Sequence, residues 1–369
     1  MKTVAFIRGT GIFNDSRSTK EILALIEAGY RVEVLGWDRD GTAVEQCRSV
    51  FASVADSVNL SFYSVRAENG IGVKNINKLI GWFGWIRKAL KKAGPLFAVH
   101  ACDLDAGIAA RRFCKKHRVK LVYDIFDYYV DAHYVPSVLR GLVERMEIKV
   151  INHADVTVIC TEERKEQIEK ATPKKLIVIH NSPELKSFAS SEEDTDYFYC
   201  GAMSGRRLIS EILEGYESNT ELSLTFAGYG PHSARATELA ERHEGFSFLG
   251  PLPYSRVLEL EARARVLSAI YEPTIRNHRL CAPNKFYEAL ALGKPVIVCR
   301  GTGIDQIVEE NNIGCVIDYD AEQFYDALRR LCADGDARRQ MGVRARRLYD
   351  EKYKWDIMKR ILLETYSQL

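Results

Sequence analysis

The stretch TVAFIRGTGIFNDSRSTKEILALIEAGYRVEVL, residues 3–35, decides the fold class of this chain. It opens with a short apolar run, Thr3–Ile7, which predicts a β-strand. A glycine-containing turn, a helical stretch at Ser18–Ala28 and a second apolar run at Arg31–Leu35 follow. Two successive strands joined by a helix run parallel, so this stretch predicts an α/β fold with a parallel sheet.

The same alternation of strand and helix continues along the chain. It predicts the strands Phe97–His100, Lys120–Tyr123, Val156–Cys160, Tyr197–Cys200, Leu222–Ala227, Phe246–Leu249, Leu267–Tyr271 and Pro295–Cys299, and the helices Ala106–His117, Val138–Asn152 and Asn284–Leu292. A polar stretch at 181–197 interrupts the alternation, as a domain boundary does. We therefore expect two Rossmann-like, doubly wound domains, residues 1–183 and 184–350, facing a central cleft.

Composition excludes several classes of protein. The 369 residues are enough for two domains, and the net charge of +2 argues against nucleic acid as a partner. Residues 1–180 hold 28 Lys and Arg against 21 Asp and Glu, or +7, so this half is the better candidate to meet an anionic partner. Nine scattered cysteines without a C-x-x-C pair, and the absence of a signal-like or membrane-spanning apolar run, predict a cytoplasmic protein without a zinc site.

The segment PNKFYEALALGKPVI, residues 283–297, carries the most chemical information. It predicts a loop entering a helix at Asn284, and the free N–H groups of such a helix start suit a phosphate. Lys285 lies in the first turn, where a bound anion would offset its charge. Glu288 follows one turn later and could accept hydrogen bonds from ribose hydroxyls. The alternative is an ordinary amphipathic helix with solvated Lys and Glu side chains.

This segment resembles the nucleotide-sugar-binding segment of retaining GT-B glycosyltransferases of the group 1, or family 4, class. Five other stretches resemble motifs of that family in the same order along nearly the whole chain: Val99–Asp105, Glu147–Glu169, Ile179–Pro183, Phe226–Pro231 and Phe248–Tyr254. The resemblance implies a GT-B fold and transfer of a sugar from a nucleotide-diphosphate donor with retention of configuration. A long helical pattern covers Ala345–Tyr366, and the resemblance implies that the C-terminal helix, residues 351–369, returns to the first domain.

The family's pattern assigns roles to residues of the second domain. Catalysis would rest on cations that stabilise the leaving diphosphate, here Arg207 and Lys285, with no metal ion or other cofactor required. The remaining donor-binding residues that the resemblance implies are Arg206, Gly201, Gly228, Asn284 and Glu288.

Three positions depart from the family's pattern. Leu280 stands where the family has its first glutamate, Ala202 where it has an arginine, and Phe126 where many members have a histidine near the transferred sugar. We expect Asp127, or less favourably Asp124, to take over the contact with sugar or acceptor. The alternative for either aspartate is a cap on the following turn.

The loop after the first strand has two readings. In the GT-B setting, Gly9 and Gly11 would let the backbone approach sugar or acceptor, and His100 would join them unless it is satisfied within its strand. Gly9-x-Gly11 with Asp38 also imitates a dinucleotide fingerprint, which would indicate a dehydrogenase. Asn14 replaces the third glycine of that fingerprint, so this reading is the weaker one.

Residues 75–92, NINKLIGWFGWIRKALKK, have apolar residues at helical spacing between basic ones. Such a helix can lie on an anionic membrane, which predicts a peripheral membrane contact and a lipid-linked acceptor. It can equally pack into the core with a solvated basic face.

Together these features predict a retaining, metal-independent glycosyltransferase that uses a nucleotide sugar. Its acceptor would be a glycan or a lipid-linked glycan in surface polysaccharide assembly, at the inner face of the cell membrane. Five Asp-x-Asp pairs look like background rather than a metal site. The main alternative is a catalytically inactive GT-B homologue that binds a partner; a nucleotide-sugar epimerase would need an acid/base set that the sequence does not display.

Overall fold

The computed structural model describes residues 1–13, 15–67, 76–185 and 192–369. Asn14, and the predicted residues 74 and 75 at the start of the basic segment, lie outside this description. The chain divides into two compact units. Unit 1 comprises Met1–His180 and Met358–Leu369, and unit 2 comprises Asn181–Ile357.

Unit 1 is built on a seven-stranded sheet in which all neighbouring strands are parallel. Its strands are β1 (Thr3–Arg8), β2 (Arg31–Asp38), β3 (Val58–Ser64), β4 (Ala98–Cys102), β5 (Lys120–Ile125), β6 (Val156–Ile159) and β7 (Leu176–Val178). The spatial order is β3-β2-β1-β4-β5-β6-β7, so the direction of winding reverses between β1 and β4. Strand β3 was not predicted from the sequence, because no residue of this edge strand is fully buried and its apolar pattern is weak.

The helices of unit 1 cover this sheet. They are α1 (Ser16–Glu27), α2 (Ala43–Val50), α3 (Ile76–Lys92), α4 (Asp103–His117), α5 (Tyr129–Ala132) and α6 (Ser137–Ile151). In α3 the apolar stripe turns inward: Trp82, Ile86 and Leu90 are fully buried in the core of unit 1. The basic residues of α3 stay at the surface, which is the arrangement of a core-packed helix.

Unit 2 repeats the architecture with a six-stranded parallel sheet. Its strands are β8 (Thr195–Ala202), β9 (Leu224–Tyr229), β10 (Phe246–Phe248), β11 (Ala264–Ala269), β12 (Val296–Cys299) and β13 (Gly314–Ile317). The order β10-β9-β8-β11-β12-β13 places the reversal between β8 and β11. The helices are α7 (Ile209–Gly215), α8 (Ser233–Arg242), α9 (Tyr254–Arg263), α10 (Arg276–Arg279), α11 (Asn284–Leu292), α12 (Ile304–Asn311), α13 (Ala321–Ala333) and α14 (Gly335–Leu348).

The C-terminal helical pattern is broken rather than continuous. After α14, residues Tyr349–Tyr353 form a π-helical turn, and Lys354 leaves the helical region with ψ of 137° before α15 (Trp355–Ser367) begins. The prediction of one long helix is therefore wrong at this turn, where the Tyr349 and Tyr353 side chains are buried. Within unit 1, the hydroxyl of Tyr366 lies 2.8 Å from His100 Nδ1 and so holds the last helix against the sheet.

The two parallel, doubly wound sheets confirm the predicted α/β fold class. In the part of the chain that the structure describes, no helix combines the length and hydropathy needed to cross a bilayer.

Candidate functional site

The carboxyl ends of β8 and β11 mark the ligand-binding edge of unit 2, because doubly wound sheets bind ligands where their winding reverses. Gly201 and Ala202 end β8, and Tyr271 follows two residues after β11. The helix α11 begins at Asn284, as the sequence predicted, and brings Lys285 to the same edge.

Two glycines allow the strands to approach each other closely here. Gly201 has a φ of 151° and Gly228 a φ of 125°, in the range that favours glycine. A Cβ on Gly228 would lie 1.9 Å from the carbonyl oxygen of Gly201, and a Cβ on Gly201 would lie 2.9 Å from Lys285 Nζ. Side chains at these positions would displace both the backbone and the lysine.

Two cations face this edge with tyrosines around them. Arg207 Nη1 donates to the hydroxyl of Tyr271 at 2.9 Å, and its guanidinium lies 4.7 Å from the centre of that ring. Lys285 Nζ lies 4.9 Å from the ring centre of Tyr199, a cation–π contact. Within the described residues, Lys285 Nζ has no hydrogen bond and no ion pair with a carboxylate. Burial opposes the charge of Lys285, but Tyr271, Tyr199 and Glu288 outweigh it and raise the pKa of Lys285 above its ordinary value.

Arg206 lies beside them in the short turn Gly205–Arg207. Its carbonyl oxygen accepts a hydrogen bond from the Glu272 N–H at 3.2 Å, which ties this turn to the loop after β11. Its side chain is exposed. The charges of Arg207 and Arg206, after burial, help to lower the pKa of His278 in that loop, so the edge of unit 2 has a positive potential.

Glu288 lies at a buried position on α11, and a side chain of α9 fixes the orientation of its carboxylate. The hydroxyl of Tyr254 donates to Glu288 Oε1 at 2.8 Å. Glu261, seven residues after Tyr254 and on the same side of α9, is buried beside Glu288. Burial, and then the neighbouring Glu288 carboxylate, raise the pKa of Glu261 well above its usual value, which favours its neutral form.

The corresponding edge of unit 1 is organised around Asp103, which follows β4. Asp103 has a φ of 61°, uncommon outside glycine, and its Oδ1 accepts hydrogen bonds from the N–H groups of Phe126 (2.9 Å) and Asp127 (3.1 Å). Arg8 forms ion pairs with Asp103 and Asp15 and stacks over Phe126 with 3.9 Å to the ring centre. These contacts hold the loop after β5 in place.

Asp127 is the half-exposed acid of this loop, and it forms a 3.2 Å ion pair with the buried Arg164. The glycine loop after β1 is packed tightly: a Cβ on Gly9 would lie 2.1 Å from Asp105 Oδ2, and one on Gly11 would lie 2.7 Å from the Phe13 ring. Arg39 Nη2 donates to the Gly9 carbonyl at 3.0 Å.

A buried charged network lies beneath this edge. Arg17 donates to Asp124 Oδ1 at 2.5 Å and to Glu21 Oε1 at 3.0 Å. His100 Nε2 lies 3.4 Å from Asp124 Oδ2 and 3.5 Å from Glu21 Oε2. Tyr366 completes the network at His100 Nδ1.

Burial shifts the pKa values of Glu21, Asp124 and His100 in that network toward their neutral forms. It raises the pKa of Glu21 to about 7, with a further contribution from Asp124, and that of Asp124 to about 6. It lowers the pKa of His100 to about 4. His100 and Asp124 are fully buried, and their contact with sugar or acceptor stays a prediction.

His100, Cys102 and Asp124 are also the group of described residues whose ligand atoms could converge on a metal ion, within 4.8 Å of one another. The Arg17 guanidinium already lies on Asp124, and a hydroxyl lies on His100. A cation entering there would meet the positive charge of Arg17, so the cluster is better suited to a protein-internal network.

Several residues that shape both edges were not predicted from the sequence. In unit 2 they are Tyr199, Tyr271, Tyr254 and Glu261, and in unit 1 Arg8, Arg17, Glu21 and Asp103. The seven-residue spacing of Tyr254 and Glu261, two turns on one face of a helix, was available as a signal. The pairing of Arg17 with Asp124, 107 residues apart, was not.

Together, the paired doubly wound sheets with a cationic edge on unit 2 define a GT-B glycosyltransferase. Two family models match successive parts of the chain: "Glycosyltransferase Family 4" at residues 21–185 and "Glycosyl transferases group 1" at residues 199–334. The chain belongs to the group 1 glycosyltransferases. No curated protein matches it closely in sequence.

Solved structures with the same fold are distant in sequence. Anabaena HepE in complex with UDP-glucose matches with a TM-score of 0.73 and 13% identity over 100% of both chains. Sucrose-phosphate synthase from Thermosynechococcus elongatus matches with a TM-score of 0.71 and 16% identity over 100% of this chain and 99% of its own. A putative UDP-N-acetylglucosamine 2-epimerase from Listeria monocytogenes also matches, with a TM-score of 0.67 and 15% identity over 98% and 95% of the two chains. At such identities these likenesses show the fold alone.

Proposed function

We propose that this glycosyltransferase moves a sugar, with retention of configuration and without a metal ion, from a nucleotide-diphosphate sugar to a glycan or lipid-linked acceptor in surface polysaccharide assembly. The observation that carries the proposal is the ammonium of Lys285 beside Arg207 at the carboxyl edge of the unit 2 sheet, with no carboxylate at ion-pairing distance among the described residues. Two half-buried cations arranged in this way are stabilised by an anionic ligand. A diphosphate supplies that anion.

The two cations would act mainly in the transition state. As the bond between sugar and diphosphate breaks, negative charge builds up on the leaving oxygen, and fixed cations stabilise it most at that moment. Arg207 is held by Tyr271 and Lys285 by the first turn of α11, so neither has to reorganise. Arg206 adds a third positive charge, and Asn284 opens the helix whose free N–H groups face the same edge.

Glu288 is the proposed ribose ligand. Its carboxylate is oriented by the Tyr254 hydroxyl, and a carboxylate with four acceptor positions can also accept from two ribose hydroxyls. The UDP complexes of the structurally similar HepE support a nucleotide donor of this class.

Asp127 is the residue of unit 1 that we propose for contact with sugar or acceptor. It reaches solvent and is oriented by Arg164 and by the backbone contact with Asp103. Gly9 and Gly11 would supply backbone groups beside it. A lipid-linked acceptor would place the reaction at the inner face of the cell membrane.

Thermal unfolding in the presence of UDP, GDP, ADP, CMP and dTDP, with NAD as a control, tests the donor class. A ligand that binds only the folded state raises the melting temperature by mass action. We expect one nucleoside diphosphate to do so, and Lys285→Ala and Glu288→Ala to abolish its effect. The exposed lysine of the same unit provides a matched control, and Lys352→Ala should respond as the wild type does. Stabilisation by NAD alone would contradict the proposal.

A non-catalytic binding protein is the second candidate, favoured by Leu280. This side chain is buried and apolar where the resemblance implies a carboxylate. Release of nucleoside diphosphate from the matching nucleotide sugar, with a glycan acceptor present, distinguishes the two. Binding without release over many hours would favour the non-catalytic protein.

A further inference from the structure

Two glutamates from different helices contact each other in the interior of unit 2. Glu261, on α9, is 2% exposed, and Glu288, on α11, is 4% exposed. Their carboxyl groups are close enough to share a hydrogen bond. Two ionised carboxylates in contact repel each other, and burial makes both charges costly, so the pair is stable only when a proton lies between them.

The two members of the pair have different surroundings. Glu288 Oε1 accepts a hydrogen bond from the Tyr254 hydroxyl at 2.8 Å. Glu261 Oε2 is buried and accepts no hydrogen bond from any group in the part of the chain that the structure describes. An ionised carboxylate has no proton to donate, so Glu288 cannot satisfy this oxygen. A proton on Glu261 removes the cost of the buried oxygen and makes Glu261 the donor to Glu288.

The other titratable groups around the pair leave this arrangement in place. Lys285, on α11, is the cation that acts on both glutamates, and one positive charge cannot balance two carboxylates. Burial raises the pKa of Cys200, on β8, to about 11, so this neighbour stays a neutral thiol. Burial and then Glu288 also raise the pKa of Tyr254, so its hydroxyl keeps the proton that it donates.

We propose that Glu261 is a positioning residue for nucleotide binding: its carboxyl group donates a hydrogen bond to Glu288 and, together with Tyr254, holds the Glu288 carboxylate in the orientation that accepts from ribose hydroxyls. This inference rests on the proposed function, in which Glu288 is the ribose ligand. Glu261 acts through Glu288 and does not itself need to touch the ligand. A carboxylate held by two donors loses little freedom when the ligand binds, and this preorganisation increases affinity.

Titration calorimetry with the full chain tests this role. UDP, GDP and ADP are each compared with their 2′,3′-dideoxy analogues, which lack both ribose hydroxyls. Glu261→Leu, which keeps an apolar side chain of similar size but removes the donor, should weaken binding of the preferred ribonucleotide about tenfold. The same variant should bind the dideoxy analogue within about twofold of the wild type, because that ligand makes no hydroxyl contact with Glu288.

A conservative variant and a matched control accompany this comparison. Glu261→Gln keeps an N–H donor and should bind the ribonucleotide within about twofold of the wild type. Glu259→Leu places the same substitution at an exposed position of α9 and should bind both ligands as the wild type does. Thermal unfolding of each free variant shows that it folds, and Glu261→Met gives the same comparison if Glu261→Leu does not.

The possible outcomes separate this inference from the proposed function. Wild-type affinity for the ribonucleotide in Glu261→Leu would overturn the positioning role, and so would equal losses for the ribonucleotide and its dideoxy analogue, which indicate a merely structural residue. A wild type that binds only dTDP would overturn the ribose contact and keep the donor class. A wild type that binds no nucleoside diphosphate would overturn the proposed function, and this inference with it.

Discussion

The two units differ in whether the cations near the carboxyl edge of the sheet form ion pairs with carboxylates. In unit 1, the buried guanidinium of Arg17 is matched by the carboxylates of Glu21 and Asp124 at 3.0 and 2.5 Å. In unit 2, Lys285 has a tyrosine ring and no acidic partner among the residues that the structure describes. Both edges come from the same type of sheet, at the same topological position.

This difference distinguishes charges that stabilise the fold from charges that are available to bind an anionic ligand. A buried cation with its own anions is costly to disturb, because removing one partner leaves the others uncompensated. A cation without a carboxylate at ion-pairing distance is stabilised further when an anionic ligand binds. Mutations at the two edges should therefore affect different measurements.

The largest effect on activity should come from Lys285→Ala. We expect kcat/KM to fall roughly a hundredfold or more, by loss of one preorganised charge at the leaving group. The melting temperature should change little, because the ammonium has no hydrogen bond or ion pair with a carboxylate among the described residues. Steady-state release of nucleoside diphosphate and thermal unfolding measure the two quantities, with Lys352→Ala as control. A variant that is inactive only because it unfolds would contradict the expectation that Lys285 affects activity rather than stability.

The largest effect on stability should come from Arg17→Met. Two buried carboxylates would lose their cation, and we expect the free energy of unfolding to fall by about 3–5 kcal/mol. Urea unfolding gives this value, and Arg112→Met, an exposed arginine on α4, supplies the comparison. Wild-type stability in Arg17→Met would mean that the network is not structural.

A pH-dependent effect should distinguish Glu21→Gln from the wild type. Burial raises the pKa of Glu21 from its ordinary value to about 7, so its contribution to stability is present at low pH and lost as the pH rises to about 7. His100 acts in the opposite sense, because its pKa is lowered to about 4 and its stabilising contribution is lost as the pH falls toward that value.

Glu21→Gln removes the pH-dependent contribution of Glu21 to stability and keeps that of His100. Relative to the wild type, its unfolding free energy should increase by roughly 2–3 kcal/mol between pH 5 and pH 7.5, as expected from the size of the pKa shift. Urea unfolding at the two pH values measures it. A difference that does not depend on pH would show that Glu21 is ionised throughout this range.

The smallest effect should come from Glu261→Gln. Because burial and the neighbouring Glu288 raise the pKa of Glu261 and favour its neutral form, the neutral amide should leave the affinity for nucleoside diphosphate within about twofold, less than 0.5 kcal/mol. Tyr254→Phe, which removes the hydrogen bond to Glu288, should cost about 1 kcal/mol in the same titration. A large loss in Glu261→Gln would indicate an ionised Glu261 that contacts the ligand.

Much of the fold and part of the site follow from local pattern. The helix at Asn284–Leu292 was predicted with its observed limits because proline and glycine bound it and its apolar spacing is regular. The same pattern predicted that Lys285 and Glu288 lie in the first two turns of one helix. It did not find Tyr271 or Arg17, whose importance depends on partners far away in the chain.

Local pattern was ambiguous where a helix has both apolar and basic residues. The spacing in α3 suited a membrane surface and a core equally well, and the structure buries Trp82 and Ile86. The helical pattern at Ala345–Tyr366 gave no sign of the break at Tyr349–Tyr353, because every residue there tolerates a helix.

By itself, the sequence determined the alternation of strand and helix, the parallel sheets and the helix start that carries Lys285. These depend on hydrophobic periodicity and on residues close together in the chain. Only the tertiary structure decided which charges are neutralised: Asp124 and His100 became part of a buried network, whereas Lys285 kept an unmatched charge. The physical reason is that ion pairing and desolvation depend on distances between residues far apart in sequence, which local patterns do not encode.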